Sequence, residues 1–165
     1  MLLYAGEWFG KGTLLAIDST RSQPLRFRAE VTTDDAGVIV TGTLDMPGFG
    51  DQRLTARAAA DDTGRYLIDL QLGAGSLLGS AKLESEPNMG MIWTEPGVEP
   101  AVNGSFVLFE THETLGCRGF VRIGNNTLTW ELALSTDAEP TAEDDGEGGE
   151  KKAPDRSNVV MLRRR

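Results

Sequence analysis

The chain holds one histidine and one cysteine, His112 and Cys117, set close together in the stretch Glu110-Thr111-His112-Glu113-Thr114-Leu115-Gly116-Cys117. Nucleophilic catalysis needs a nucleophile, a base and a group that orients the base. Here the base can only be His112, with Cys117 or a serine as nucleophile, and neither pairing carries a flanking motif such as a nucleophile elbow. A zinc site needs more His and Cys at ligand spacing than Glu110, His112, Glu113 and Cys117 supply. Gly73-Ala74-Gly75-Ser76 lacks the strand-to-helix context of a phosphate-cradling loop. The paired carboxylates Asp34-Asp35 and Asp61-Asp62 each precede a glycine two residues on, which marks them as turn formers. The expectation is a protein that is not an enzyme, with no catalytic residues and no metal. His112 then reads as a solvent-exposed loop residue between glutamates.

Most of the chain alternates apolar and polar residues with the period of a strand. Leu25, Phe27, Ala29 and Val31 share one face, and Arg26, Arg28 and Glu30 the other. The first strand is expected from Lys11 to Ser19. Others follow over Val38 to Met46, Gln52 to Ala60 and Arg65 to Leu72, with Asp34-Asp35-Ala36-Gly37 and Asp61-Asp62-Thr63-Gly64 as two copies of one hairpin turn. Gly73 to Ser80 reads as a glycine-serine loop, and Ala81 to Glu86 as a short strand. Met91-Ile92-Trp93-Thr94, Ser105 to Thr111, Cys117 to Ile123 and Thr127 to Ser135 complete the set, the last two joined at Gly124-Asn125-Asn126. About ten short strands at this spacing make an all-β protein. Consecutive hairpins suggest an up-and-down antiparallel barrel, which removes its edges by closing; a β-sandwich is the alternative. The 20 glycines suit tight turns and close strand contacts.

The composition changes after Ser135. Residues 136–150 hold seven acidic side chains and no basic one, and residues 151–165 hold six basic ones. The acidic stretch cannot bury enough apolar surface to offset its ordering entropy. The expectation is a β-domain over 1–135 and a disordered tail over 136–165. The tail ends in a basic-apolar peptide, Val159-Val160-Met161-Leu162-Arg163-Arg164-Arg165, which reads either as a solubilising end or as a tethered docking peptide for a protein partner. A formal net charge of -9 argues against nucleic acid or anionic membrane as the main partner. No apolar run reaches the length of a membrane span, and the N-terminus lacks the features of a signal peptide. One free cysteine fits a reducing compartment. A soluble cytoplasmic protein is the expectation; the oligomeric state stays open.

The opening Gly6-x-Trp8-x-Gly10-x-Gly12 resembles the Gly-x-Trp signature at the first strand of lipocalins and the wider calycin superfamily. Its extended form is similar to the opening of nitrobindin-like haem barrels, and the last hairpin, Arg122 through Leu128 to Trp130, is similar to their closing strands. The resemblance covers the two ends of the body. It implies a barrel closed by Trp8, with Arg122 as the candidate for the basic residue such barrels set against that tryptophan. There is no counterpart to the helical lid of fatty-acid-binding proteins. It also implies two kinds of content. One is a small apolar ligand in a cavity lined by Phe27, Val40, Leu54, Tyr66, Ile68, Trp93, Phe106 and Trp130; the same residues would equally make a filled core. The other is haem, with His112 as axial ligand. The reading preferred from the sequence is a non-catalytic lipocalin-like binder without a cofactor. An adaptor docking through its C-terminal peptide and a haem barrel are the alternatives.

Overall fold

Strand periodicity decides which side chains turn inward, and hydrogen bonding between successive strands decides that the inward faces meet. The computed structural model describes residues 3–35, 37–112 and 114–136. Ten strands follow one another: β1 (Gly6–Ala16), β2 (Gln23–Asp34), β3 (Gly37–Met46), β4 (Gly50–Ala60), β5 (Tyr66–Leu72), β6 (Gly75–Lys82), β7 (Asn88–Trp93), β8 (Val102–Glu110), β9 (Leu115–Ile123) and β10 (Asn126–Ser135). Each pairs antiparallel with the next, and β1 pairs with β10, so the sheet is a closed up-and-down barrel without an edge. No helix occurs among the described residues. The proposed tail, including the docking residues Val159, Val160, Met161, Leu162 and Arg163, lies outside them.

The register fixes the barrel's width. One circuit along the hydrogen-bonded pairs, from Ala16 through Leu128, Val121, Gly104, Ile92, Gly79, Ile68, Ala58 and Val38 to Thr33, comes back to β1 at the level of Tyr4. With ten strands and this stagger of about twelve residues, the strands tilt by about 40° and the backbone cylinder has a radius of about 10 Å. That exceeds the eight-stranded size at which inward side chains just fill the interior.

β1 begins five residues earlier than the alternation in the sequence suggests, and Trp8 and Phe9 lie within it. The larger departure is β6. Residues 73–80 read as a loop because Gly and Ser are poor strand formers. Only Gly73 and Ala74 turn, and the chain then pairs with β5 and β7. Gly79 faces inward where an added Cβ would meet the Met91 carbonyl oxygen at 2.6 Å and the Ile92 and Ile68 side chains at 3.1 and 3.2 Å, so the close strand approach calls for glycine. The two Asp-Asp-x-Gly turns also differ. Asp34 pairs directly with Gly37 in a tight connection. The second forms a longer loop, in which the Asp61 carboxylate accepts hydrogen bonds from the Thr63 amide (2.9 Å), the Thr63 hydroxyl (2.6 Å) and the Arg65 amide (3.1 Å).

Inward and outward faces are chemically distinct. On β2 to β4 the outward positions carry Arg26, Arg28, Glu30, Asp45, Arg53 and Arg57, all exposed. The inward positions of the same strands are apolar or glycine, apart from Gln23 and Thr33 at the two ends of β2 and Gln52 near the start of β4. This is the opposite of the sidedness of a lipid-embedded barrel, whose outer band is apolar. Among the described residues no helix is long and apolar enough to cross a membrane.

Candidate ligand-binding lumen

One end of the barrel is sealed. Trp8, Val31, Val38, Tyr66, Leu83, Leu108, Leu115 and Leu134 form a buried cluster there. Trp8 is 3% exposed. Its indole N–H donates to the Tyr4 carbonyl (2.9 Å), and the Tyr4 ring packs on it at 5.0 Å between centroids. The segment before β1 thus folds back over the tryptophan and closes the floor. Tyr66 reaches the rim of this floor and donates its hydroxyl to Glu84 (2.9 Å); burial first, and then the Glu84 carboxylate, push the phenol's pKa up. Among the described residues, Asn88 is the one buried polar side chain in the barrel wall at this end.

The other half is different. Leu44, Leu54, Leu70, Leu72, Leu77, Ile92, Val121, Ile123 and Leu128 all point inward by register, yet each stays only half-buried. An inward residue of a filled barrel loses nearly all contact with water; these have not. The lumen is therefore a cup with a packed floor and an apolar upper wall that is half-exposed except at Leu14 on β1 and Leu25 on β2, which are buried. The loops around its mouth carry Ile17, Phe49 and Val98, three of the most exposed large apolar side chains of the protein. The floor-end loops are polar, with Asp35, Asp62, Arg65, Glu84, Glu86 and Thr111.

Phe27, Val40, Ile68 and Phe106 face inward, half-buried against the floor cluster. Leu54 and Trp130 face inward higher up. The Trp130 ring lies across Gly119, where an added Cβ would meet it at 2.6 Å. Tyr66 belongs to the floor itself. Trp93 is on the outer wall and 37% exposed, between Leu78 and Asn103 of the neighbouring strands. The run Met91-Ile92-Trp93 is apolar on both faces, so the sequence alone does not choose its phase; the register puts Ile92 inside. The upper-wall residues other than Leu54 were not singled out from the sequence. Their signal was present in the strict alternation of Ile68, Leu70 and Leu72, but alternation cannot tell a filled core from an open one.

Arg122 is not set against Trp8. It is exposed on the outer face at the mouth end of β9, donating to the Gly124 carbonyl (3.1 Å), while Trp8 lies at the floor. His112 is exposed in the β8–β9 turn at the floor rim. That turn is held by Thr111 and Thr114, whose backbone and hydroxyl groups bond each other at 2.7 to 3.0 Å. The buried Leu108, Leu115 and Leu134 separate this rim from the lumen. An axial ligand for haem inside the barrel must face inward, and His112 does not.

Cys117 faces inward next to Trp130. Burial pushes its thiol pKa up, opposed in part by a hydrogen bond with Trp130. A protonated inward thiol and an exposed imidazole on the rim do not make a nucleophile–base pair. Among the described residues no group of three or more His, Cys, Asp or Glu could hold a metal ion. Two shallow grooves of about 220 and 450 Å³ lie on the outer wall over β8 to β10 and β1, lined in part by Lys11, Phe109, Phe120, Thr129 and Glu131.

No protein-family model, curated protein or solved structure matches this chain. The ten-strand antiparallel barrel is compatible with a calycin-like fold.

Proposed function

We propose that the protein is a non-catalytic, calycin-like carrier that holds a small apolar molecule in the upper half of its lumen. The observation that carries this reading is the contrast between the two halves: inward apolar side chains are sealed at the Trp8 floor, and above it all but Leu14 and Leu25 are half-exposed. Leaving such a surface wet is unfavourable by roughly 25 cal/mol per Å², and an apolar guest recovers that energy on covering it. Ile17, Phe49 and Val98 at the mouth give an apolar guest a graded path from solvent to the interior. Selectivity would come from shape, since the wall of the upper half offers few polar groups.

The test uses anilinonaphthalene sulfonate as probe and two variants that fill the upper lumen, Leu70→Trp and Val121→Trp. The expected result is saturable probe fluorescence with the wild type and loss of binding in both variants, with the melting temperature nearly unchanged. A filled interior would instead make each variant overpacked and less stable by about 1–3 kcal/mol. Probe binding equal in all three proteins, or none in the wild type, would overturn the proposal. Native mass spectrometry of freshly purified protein should show a retained apolar adduct that the variants lack.

A further inference from the structure

The outer wall over β5 to β9 does not resemble the charged wall over β2 to β4. Its outward positions include Leu67 on β5, Leu78 on β6, Met89, Met91 and Trp93 on β7, and Phe120 on β9. Leu67, Met89, Met91, Trp93 and Phe120 are between 37% and 58% exposed. Together they expose on the order of 500 Å² of apolar surface, as large as the biggest patch on a typical monomer. One row across the wall, Leu67-Ser80-Met91-Ser105-Phe120, contains no charge.

We propose that this wall is the interface of a homodimer whose two-fold axis runs along β7. The wall curves with the barrel, so the contact centres on β7, where sheet faces with nearly aligned strands can pack; a stable contact needs roughly 800 Å² from each partner, so polar residues flanking the apolar patch must join it. The layout is self-complementary about β7. Rotation about an axis along that strand puts Met89, Met91 and Trp93 against their own copies. It brings Leu67 opposite Phe120 and Ser80 opposite Ser105, since each pair lies at equal distance on the two sides of Met91. In the row of Trp93 the same rotation brings Asp69 opposite Arg122. The other cations near the wall are held by their own chain, Arg118 by Glu131 (3.3 Å), Arg65 by Asp61 (2.9 Å) and Lys82 by the Glu86 carbonyl (2.9 Å). The chain's own terminal peptide is a poor occupant, because Arg163, Arg164 and Arg165 would approach Lys82, Arg118 and Arg122.

Sedimentation equilibrium on the full chain across the micromolar range should give a mass of about 36 kDa, twice the 17.8 kDa chain. Met91→Lys puts a charge on an exposed position of the axis and should return a folded monomer. Asp69→Arg and Arg122→Asp should each weaken association several-fold, and the double exchange should restore it. Met91→Cys should give a disulfide-linked dimer on mild oxidation, whereas Arg28→Cys on the opposite wall should not; Cys117, half-buried and facing the lumen, does not reach this wall. A wild-type monomer throughout this range overturns the proposal. So does a dimer that survives Met91→Lys, or a charge exchange that fails to restore association. A monomer that floats with neutral phosphatidylcholine vesicles, and loses this with Met91→Lys, would assign the wall to a lipid surface instead.

Discussion

Replacing Trp8 tests the cup directly, because the floor is what separates a cup from an open tube. The indole is 3% exposed, packs on the Tyr4 ring and donates one hydrogen bond to the Tyr4 carbonyl. Trp8→Ala removes the largest side chain of the floor and leaves a void among Val31, Leu115 and Leu134, so the expected cost is about 3–5 kcal/mol. Trp8→Phe keeps most of the volume and loses the N–H bond. The Tyr4 carbonyl it leaves is near the surface and can take water instead, so the cost should be about 1–2 kcal/mol. A domain of this size is stable by about 5–15 kcal/mol, so the alanine variant should still fold with a visibly lower urea midpoint. Urea denaturation followed by circular dichroism gives both values, since Trp93 and Trp130 complicate a fluorescence readout. The two variants also differ in their effect on the lumen. Trp8→Phe should bind anilinonaphthalene sulfonate as the wild type does, while Trp8→Ala should admit water at the floor and bind it more weakly. A cost below about 1 kcal/mol for Trp8→Ala would mean that the floor does not depend on this residue, and the cup would have to be redrawn.

Two further outcomes follow from ionisable groups. Asp61 is held at a pKa of about 2, first by the Thr63 hydroxyl and also by the Thr63 amide and Arg65. A depressed carboxylate contributes stability above its unfolded pKa that is lost as pH falls through the folded value. The melting temperatures of wild type and Asp61→Asn should therefore differ at pH 6 and converge between about pH 4 and pH 2; a gap independent of pH would show that the loop does not use the charge. Cys117 has its pKa raised by burial, so its thiol should react with a disulfide reagent far more slowly in the folded protein at pH 8 than in urea. The sign of its linkage is opposite to that of Asp61: stability should fall as pH rises past the thiol's unfolded pKa, and Cys117→Ala should flatten that decline.

Legibility in the sequence was greatest where one face is apolar and the other charged. Leu25 to Val31 against Arg26, Arg28 and Glu30 gave strand, face and inward set together, because a period of two has only one phase that buries leucine and exposes arginine. It failed where both faces have the same character. Met91-Ile92-Trp93 is apolar on each side, and Trp93 took the outer wall. Gly75 to Gly79 lacks the usual strand formers, and pairing with β5 and β7 overrode that local preference. Arg122 and Trp8 were matched by resemblance, yet strand direction places them at opposite ends of the barrel.

The sequence by itself determined the all-β class, the meander of consecutive hairpins and the inward identity of Phe27, Leu54, Tyr66, Ile68 and Trp130, since these follow from local alternation and turn chemistry. Only the tertiary structure decided that β1 pairs with β10, how far the strands stagger and hence how wide the barrel is. It alone decided that the Trp8 end is packed while the inward wall above stays wet, and that His112 sits outside. Those features depend on which residues meet across eight intervening strands, and no local pattern along the chain encodes that distance.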